Sequence, residues 1–317
     1  MALGESAARV PVPRLRPRLS IEQRETLTGY AFISPWIVGF LLFTLIPMAA
    51  ALALSLTDFD MRRPESVHFV GLANFQRLLA DPNVAQSLGV TVRFALLTVP
   101  LNLVVALGLA VLLNHRRLAG VTIFRTLFYL PIQIPLVAST LIWAGVLNAQ
   151  TGWLNKLTGI VGLPAVDWIE STTWILPALA LIGLWGVGNS MVVFIAGLQS
   201  VPSELYDAAR VDGAGRLTTF FRITLPLISP VVFYNVLISL ILTFQYFTQA
   251  YVLTNGRGDP DNASLFYNLN LYREGWKFFD MGYAAAQAWL LFGIVLSLTI
   301  VLFGVARRWV YYAGERQ

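Results

Sequence analysis

The 317-residue sequence contains no cysteine and few charged residues of either sign. The absence of cysteine excludes disulfide bonds and thiolate metal ligands. The two histidines, His68 and His115, lie far apart in the sequence, so we expect no metal site. Only 12% of the residues are charged, whereas soluble domains average about 25%. The composition therefore argues against a soluble domain.

Lysine is almost absent as well. Neither of the two lysines, Lys156 and Lys277, follows a glycine, so the sequence has no Gly-Lys-Ser/Thr phosphate loop. We therefore expect this chain to bind no ATP by that device and to hold no cofactor of its own. No nucleophile paired with a base is visible, so we do not expect an enzyme.

Long apolar runs dominate what is present. Hydrophobic residues make up 56% of the chain, and its mean hydropathy is +0.66. A helix needs about 20 apolar residues to cross a bilayer. Six stretches qualify, at about residues 30–56, 89–113, 121–147, 174–199, 228–254 and 283–306.

We therefore predict an all-α integral membrane protein surrounded by the lipid bilayer. Its transmembrane domain is expected at residues 30–306, between tails at 1–29 and 307–317. The apolar run from Tyr30 is longer than the core of a signal peptide, so we expect this span to be retained.

Arginine and lysine are unevenly distributed between the two sides of these spans. With the N-terminus inside, 14 basic residues lie on the inner side and seven on the outer side, and Arg93 lies within the second span. Basic residues concentrate on the cytoplasmic side of membrane proteins. This distribution predicts that both termini are cytoplasmic. It also accounts for the net charge of +5 without a nucleic acid partner.

The polar segment 202–226 separates the fourth and fifth spans and is predicted to be cytoplasmic. Ser203 can cap a helix there, acids suit its first turn, and Gly213 suits the left-handed position that ends it. Helical spacing predicts one face that holds Leu205, Ala208, Ala209 and Asp212.

A second short helix is expected at about 216–223, anchored by Phe220 and Phe221 and ended by Pro226. The alternative interpretation of the segment is an amphipathic helix lying on the membrane surface. Alanines are poor membrane anchors, and anionic lipids repel the acids of this segment. Docking to another protein is therefore the favoured interpretation.

The spacing in this segment resembles that of a known family. Asp207, Ala208 and Ala209 are followed after three residues by Gly213 and, nine residues later, by Ile223-Thr224-Leu225-Pro226. This pattern resembles the cytoplasmic coupling loop of permease subunits in binding-protein-dependent ABC importers. Aspartate stands at 207 where the family pattern has glutamate.

Four other segments extend the resemblance over nearly the whole chain from Tyr30. They are similar to segments of sugar-type permeases, above all the first permease subunit of maltose-, trehalose- and glycerol-3-phosphate-type importers. These segments are Tyr30–Phe40, Phe69–Phe75, Phe124–Pro131 and Asp280–Ala286.

The resemblance implies the six-helix fold of type I importers in a bacterial inner membrane. It also implies four kinds of partner: a second, related permease subunit, two ATP-binding subunits that hold ATP and Mg²⁺, an extracytoplasmic solute-binding protein and a carbohydrate substrate. The residues expected to couple to the ATPase are Glu204, Tyr206, Asp207, Ala208, Ala209, Asp212, Gly213, Ala214, Phe220 and Pro226.

Polar residues within spans are costly and therefore suggest function. Five of them fall within a band about 120° wide on the fifth predicted span. These residues are Asn235, Ser239, Thr243, Tyr246 and Gln249, with Gln245 beside them. On the fourth span, Trp185 and Asn189 are expected to share a face. Aromatic faces stack on sugar rings and amides bind hydroxyl groups, so this set suits a neutral carbohydrate.

Alternatives remain open at this point. The same polar side chains can join helices by hydrogen bonds, and glycines 183, 186 and 188 either open space beside Trp185 or ease helix packing. A phosphate such as glycerol-3-phosphate would prefer arginine near the pathway, where only Arg93 is a candidate, and a polyol is also compatible. An ion-coupled transporter would place acids inside the spans, where the sequence has none.

Overall fold

The computed structural model describes residues 20–115 and 119–311, which form two units divided between Ala53 and Leu54. Fourteen helices are named here in chain order: α1 (Ile21–Ser55), α2 (Ala73–Ala80), α3 (Pro82–Leu113), α4 (Val121–Gln133), α5 (Leu136–Val146), α6 (Trp153–Ile160), α7 (Ile175–Trp185), α8 (Gly188–Gln199), α9 (Ser203–Val211), α10 (Arg216–Thr219), α11 (Ser229–Phe244), α12 (Thr248–Thr254), α13 (Tyr267–Tyr272) and α14 (Met281–Ala306). The described residues contain isolated β-bridges but no longer strand.

The first unit consists almost entirely of α1, which includes one π-helical stretch at Leu41–Leu45. The helix begins earlier than expected, inside the predicted tail 1–29. Ser20 and Gln23 form a capping box, with the Gln23 amide 3.2 Å from Ser20 Oγ and the Ser20 amide 3.0 Å from Gln23 Oε1. This reciprocal cap satisfies two amides that would otherwise lack a partner. The rest of the tail, residues 1–19, lies outside the described residues.

The described residues contain four helical stretches long and apolar enough to span a membrane, one of which is interrupted at residues 245–247. They are α1, α3, the stretch Ser229–Thr254 and α14. Two further spans are bent pairs, α4 with α5 at 103° and α7 with α8 at 55°. Counting each bent pair as one span gives six, which confirms the predicted fold class.

In the second unit, α3 is the central helix and contacts α7 and α8 as well as α11 and α13. Its residues Phe94 and Ala106 are almost fully buried against these neighbours. Ala106 and Ala110 are small, which lets α8 pack closely with Met191 and Phe194. A helix of this length extends about 48 Å, enough to cross the whole bilayer.

The two ends of α3 lie in different polar environments. Its first end carries Asp81, whose carboxylate accepts a 2.7 Å hydrogen bond from the Tyr283 hydroxyl group. Its last end, at Asn114, lines a cavity together with Tyr206 of α9. The amide of Tyr311, near the C-terminus, donates to Ser229 Oγ at 2.9 Å. Ser229 begins α11 directly after segment 202–226, so the C-terminal residues lie at the same end as that segment.

Gly188 explains how the bent pairs cross. A Cβ atom at this position would lie 2.2 Å from the carbonyl oxygen of Phe128 in α4. Gly186 has room, since its nearest neighbour would be the Gly183 carbonyl oxygen at 3.5 Å. Of the two roles left open for these glycines, Gly188 therefore has the packing role.

Candidate functional site

Helix α9 lies between the fourth and fifth spans and begins at Ser203. Pro202 occupies the N-cap position without a side-chain hydrogen bond, so Ser203 does not cap this helix as expected. Glu204 lies in the first turn and Arg210 in the last. This placement puts each charge where the helix dipole favours it.

The C-terminal end of α9 is a Schellman motif. Gly213 has φ of +74°, and its amide donates to the Arg210 carbonyl group at 3.1 Å. The Ala214 amide donates to the Ala209 carbonyl group at 2.8 Å. These two bonds satisfy carbonyl groups at the helix end, and the left-handed backbone favours glycine. The chain therefore makes a sharp, fixed reversal at Gly213.

The second short helix, which follows this reversal, does not end before Pro226 as predicted. Helix α10 continues through a π-helical turn at Phe220–Thr224 into Leu225–Leu227. Pro226 lies in that last stretch, directly after the π-helical turn. The actual break comes at Ile228, before α11.

A hydrogen bond joins the two arms of this hairpin. Tyr206 Oη lies 3.1 Å from Thr224 Oγ1, and Thr224 is only 6% exposed. Tyr206 also packs against the buried cluster that contains Leu198 and Val201 at the end of the fourth span. The hairpin is therefore fixed to the transmembrane helices through Tyr206.

The two alanines of the motif point to different surroundings. Ala209 is 6% exposed, whereas Ala208 is exposed. The predicted shared face of Leu205, Ala208, Ala209 and Asp212 is therefore divided. The solvent-exposed face of α9 and its C-cap combines acids with small or apolar side chains. These residues are Glu204, Leu205, Asp207, Ala208, Val211 and Asp212.

The acids of this face are not neutralised as a group. Asp207 forms an ion pair with Arg210 of the same helix, an exposed arrangement that stabilises little. Beyond the reversal, Leu217 and Phe221 are 75% and 61% exposed, and the Phe220 ring packs edge-on against Phe221 at 5.2 Å. The hairpin thus offers an acidic helix beside an exposed apolar pair.

The predicted substrate residues of the fifth span have mixed surroundings. Asn235 donates to the Val231 carbonyl group at 2.9 Å, and Thr243 donates to that of Ser239 at 2.6 Å. These bonds stay within α11, so both side chains have local partners. Ser239 is half-buried.

The helix is interrupted between Phe244 and Thr248, so the predicted angular band does not extend to Gln249. Tyr246 lies in this break, with its ring 4.7 Å from those of Phe94 and Phe266. Its hydroxyl group is buried without a hydrogen-bond partner in the described residues. Gln245 is exposed at the same break.

Trp185 and Asn189 do not share one helical face. The 55° bend separates α7, which ends at Trp185, from α8, which begins at Gly188. Both residues are nevertheless exposed at the surface of this subunit. The Trp185 ring packs edge-on against that of Trp143, with 5.6 Å between the ring centroids.

Sequence reasoning missed two polar residues of α3. Thr98 Oγ1 and Asn102 Oδ1 are buried without partners among the described residues. The two positions are four apart, so they share a face of α3, where Thr98 lies next to Gly183 of α7. Their spacing within an apolar span was a usable signal.

A charged cluster lies around the first end of α3. Arg77 Nη1 donates to Asp280 Oδ2 at 2.6 Å and its guanidinium lies 3.7 Å from the Tyr283 ring centroid. The Glu274 carboxylate is 3.9 Å from Arg77 Nη2. Burial raises the pKa of Glu274 above its usual value.

At the surface nearby, hydrogen bonds from Arg62 lower the pKa of Asp60 to about 2. His68 Nδ1 lies 3.1 Å from an Asp58 carboxylate oxygen. The loop after α1 therefore presents paired charged side chains at the surface.

The features so far define a class: a multi-pass helical membrane protein with a rigid polar hairpin between its fourth and fifth spans. Residues 102–313 match the family described as binding-protein-dependent transport system inner membrane component. The chain belongs to this family, and it is a permease subunit of an ABC importer in the inner membrane.

Individual relatives cover nearly the whole chain. It is 41% identical over 298 residues to the probable ABC transporter permease protein YesP of Bacillus subtilis, covering 93% of this chain and 95% of that protein. It is 33% identical to the trehalose/maltose transport system permease protein MalF of Thermococcus litoralis, with 90% and 96% covered. It is 31% identical to the lactose transport system permease protein LacF of Rhizobium radiobacter, with 92% and 97% covered.

The fold is also found among solved structures. A chain in the crystal structure of a bacterial alginate ABC transporter, in complex with an alginate pentasaccharide-bound periplasmic protein, superposes with a TM-score of 0.74. It is 22% identical and covers 90% of this chain and 96% of that chain.

Proposed function

We propose that this chain is one of two related permease subunits of an importer that carries a neutral disaccharide or oligosaccharide into the cell. Two separate ATP-binding subunits hold ATP and Mg²⁺, and an extracytoplasmic solute-binding protein delivers the sugar. Both termini of this chain are cytoplasmic. The observation that carries the proposal is the rigid hairpin of segment 202–226, fixed at Gly213 and joined to the spans through Tyr206.

In this mechanism, the ten predicted coupling residues act as a handle for the ATP-binding subunits. The exposed acids and Ala208 of α9 form the contact, and buried Ala209 and half-buried Tyr206 pass its motion to the spans. Alternating access needs an element whose two states both ligands bias. The Schellman motif and the Tyr206–Thr224 hydrogen bond hold the hairpin together, which supports its role in carrying such a bias to the spans.

The carbohydrate assignment is supported by the relatives' names and by side-chain chemistry. Trp185, Asn189, Gln245 and Gln249 supply an aromatic face and amides without charge, which suits a polyhydroxy solute. The fifth span also carries the other predicted substrate residues, Asn235, Ser239, Thr243 and Tyr246. Arg93, the one candidate for a phosphate, donates through Nε to the Gly89 carbonyl group of its own helix at 3.2 Å, which favours a neutral sugar over glycerol-3-phosphate.

Docking is tested by co-purification of this chain with the ATP-binding subunits of its importer. Gly213→Asp, or deletion of 204–214, is expected to abolish both their association and sugar uptake. Gly162→Asp is the matched control, since Gly162 also has positive φ (+79°) and open surroundings, but follows α6, far from segment 202–226 in the sequence. Association that survives both changes in the hairpin would contradict the docking proposal.

The substrate class is tested on the neighbouring solute-binding protein. A thermal-shift screen would use lactose, maltose, trehalose, arabinotriose, diacetylchitobiose, glycerol-3-phosphate and sorbitol. Stabilisation by a neutral sugar is the expected result. A response to glycerol-3-phosphate or sorbitol alone would overturn the sugar assignment.

A further inference from the structure

Three aromatic rings from two helices pack together where the fifth span is interrupted. The ring centroid of Phe247 lies 5.3 Å from that of Tyr251 and 5.1 Å from that of Tyr272. Tyr251 and Tyr272 are 5.4 Å apart. These three residues are called the aromatic platform.

The two sides of the platform come from different segments. Phe247 directly precedes α12 and Tyr251 lies in the first turn of that helix. Asn268 and Tyr272 are four residues apart on one face of α13. The Asn268 amide donates to the Gln245 carbonyl group at 3.2 Å. The start of α12 and one face of α13 therefore meet at the interruption of the span.

The backbone at Gly256 packs directly against one ring of the platform, that of Tyr251. The turn after α12 brings Gly256, with φ of +71°, so close that a Cβ atom there would lie 2.8 Å from Tyr251 Cε2. Only a residue without a side chain allows the backbone to pass at this distance. The Tyr251 ring is therefore supported on one side, yet the residue remains 37% exposed.

Exposure distinguishes the platform from the aromatic cluster beside it. Phe94 and Phe266 are 1% and 0% exposed, and they pack against Tyr246 in the core. The platform instead contains the exposed Tyr251, and the exposed Gln245 and half-buried Asn268 lie beside it. The polar groups of the platform and of these two neighbours are uncharged hydroxyl groups and amides.

The platform lies towards the outer end of the chain. The loop that follows α12 contacts the start of α3, because Gln86 Nε2 donates to the Asp261 carbonyl group at 3.2 Å. The start of α3 is the end opposite segment 202–226. A solute that enters from outside would therefore reach the platform before it reaches the polar residues Asn235 and Thr243.

Resting on the proposed function, we propose that the aromatic platform is an outer sugar-binding subsite of the transport pathway. A pyranose ring stacks its C–H face on Tyr251 and Tyr272, and the amides of Gln245 and Asn268 bind its hydroxyl groups. Aromatic residues provide large, rigid contact area at low entropic cost. A belt of tyrosines at the membrane interface is the competing explanation, and the experiment separates the two.

The experiment measures uptake by the complete importer in proteoliposomes with saturating binding protein and whichever sugar of the screening panel it carries. Tyr251→Leu and Tyr272→Leu remove the stacking rings, whereas Tyr251→Phe and Tyr272→Phe keep them. Trp153→Leu is the control, since Trp153 is a 72% exposed aromatic residue on α6 outside the platform.

The leucine variants are expected to lower the maximal uptake rate about tenfold, equivalent to about 1.4 kcal/mol, and the phenylalanine and Trp153 variants to stay near wild type. Leucine variants that transport like wild type would overturn the subsite, as would phenylalanine variants as impaired as the leucine ones. If the unaltered importer carries no sugar of the panel, the proposed function fails first, and the subsite with it.

Because ring loss can unfold the outer helices, hydroxyl-radical footprinting of the unaltered importer provides a second measurement. The transported sugar is expected to reduce oxidation of Tyr251 at least about twofold, and oxidation of Trp153 is expected to stay constant. Equal oxidation of Tyr251 with and without sugar would contradict the subsite, and parallel protection of Trp153 would indicate a membrane-belt effect.

Discussion

The hydroxyl group of Tyr206 lies 3.1 Å from that of Thr224 and joins the two arms of the hairpin between the fourth and fifth spans. Tyr206 is half-buried and Thr224 buried, so little water competes for this bond. The bond links an exposed helix, α9, to the stretch that leads into α11. In the proposed mechanism, this bond carries motion of α9 to a membrane span.

Tyr206→Phe tests this link. Removal of the phenol leaves the Thr224 hydroxyl group without this partner, which we expect to destabilise the protein by about 1 kcal/mol. The expected functional result is less sugar carried per ATP hydrolysed in proteoliposomes. Thr224→Val and the double variant complete a mutant cycle. Additive effects of the two changes would show that the bond contributes no coupling.

Gly213→Ala tests the reversal after α9. No atom lies within 4 Å of the Cβ position, so the expected cost comes only from φ of +74° and amounts to about 1–2 kcal/mol. Thermal denaturation of the purified chain in detergent measures it. Asparagine tolerates left-handed backbone better than alanine, so Gly213→Asn should recover part of the loss. Equal stability of alanine and glycine at 213 would refute the strain argument.

Gly188→Ala tests the crossing of the bent spans. The added methyl group would meet the Phe128 carbonyl oxygen at 2.2 Å, and main chain cannot move aside as a flexible side chain can. We expect a loss of about 1–3 kcal/mol and lower yield of folded protein. Gly186→Ala is the matched control, because its methyl group would meet nothing closer than 3.5 Å. If both variants denature alike, the close crossing is not important for stability.

Arg77→Met tests the charged cluster at the outer end. The change leaves buried Glu274 and half-buried Asp280 without their cation. Since the Arg77 side chain is 51% exposed, solvent screens the loss, which we expect to be about 1–2 kcal/mol at neutral pH. Arg62→Met, which removes a 60% exposed side chain from the pair with Asp60, should cause a smaller loss because solvent screens this pair more.

The loss of folding stability caused by Arg77→Met should depend on pH. Burial raises the pKa of Glu274 above its usual 4.5 in the folded protein, and Arg77 opposes that rise. A raised folded pKa means that this group's stability contribution is present at low pH and lost as pH rises through the raised pKa. Below 4.5 the carboxyl is protonated in both states, so the variant should approach wild type there. A deficit that stays constant with pH would exclude Glu274 as its origin.

The sequence predicted the spans well because bilayer thickness sets their length and apolar composition marks them. Three of the six expected spans are continuous helices, the fifth is interrupted at residues 245–247, and the other two are bent pairs. The bends could not be predicted, because membrane helices often tolerate proline and glycine without breaking. Pro135 lies at a bend, whereas Pro100 lies inside the uninterrupted α3.

The candidate sites were predicted less evenly. Gly213 takes the left-handed conformation that its position after a charged helix indicated. The predicted band of substrate residues on the fifth span required one continuous helix, but the helix breaks after Phe244. The aromatic platform was missed because Tyr272 is distant in sequence from Phe247 and Tyr251.

The sequence by itself determined the membrane fold class, the family and the position of the hairpin, because hydropathy and motif spacing are local properties of the chain. Only the tertiary structure decided that Ala209 faces inward while Ala208 is exposed, that Trp185 and Asn189 lie on separate helices, and which rings form the platform. These relationships depend on where helices bend and which faces meet, and the packing of distant segments sets both.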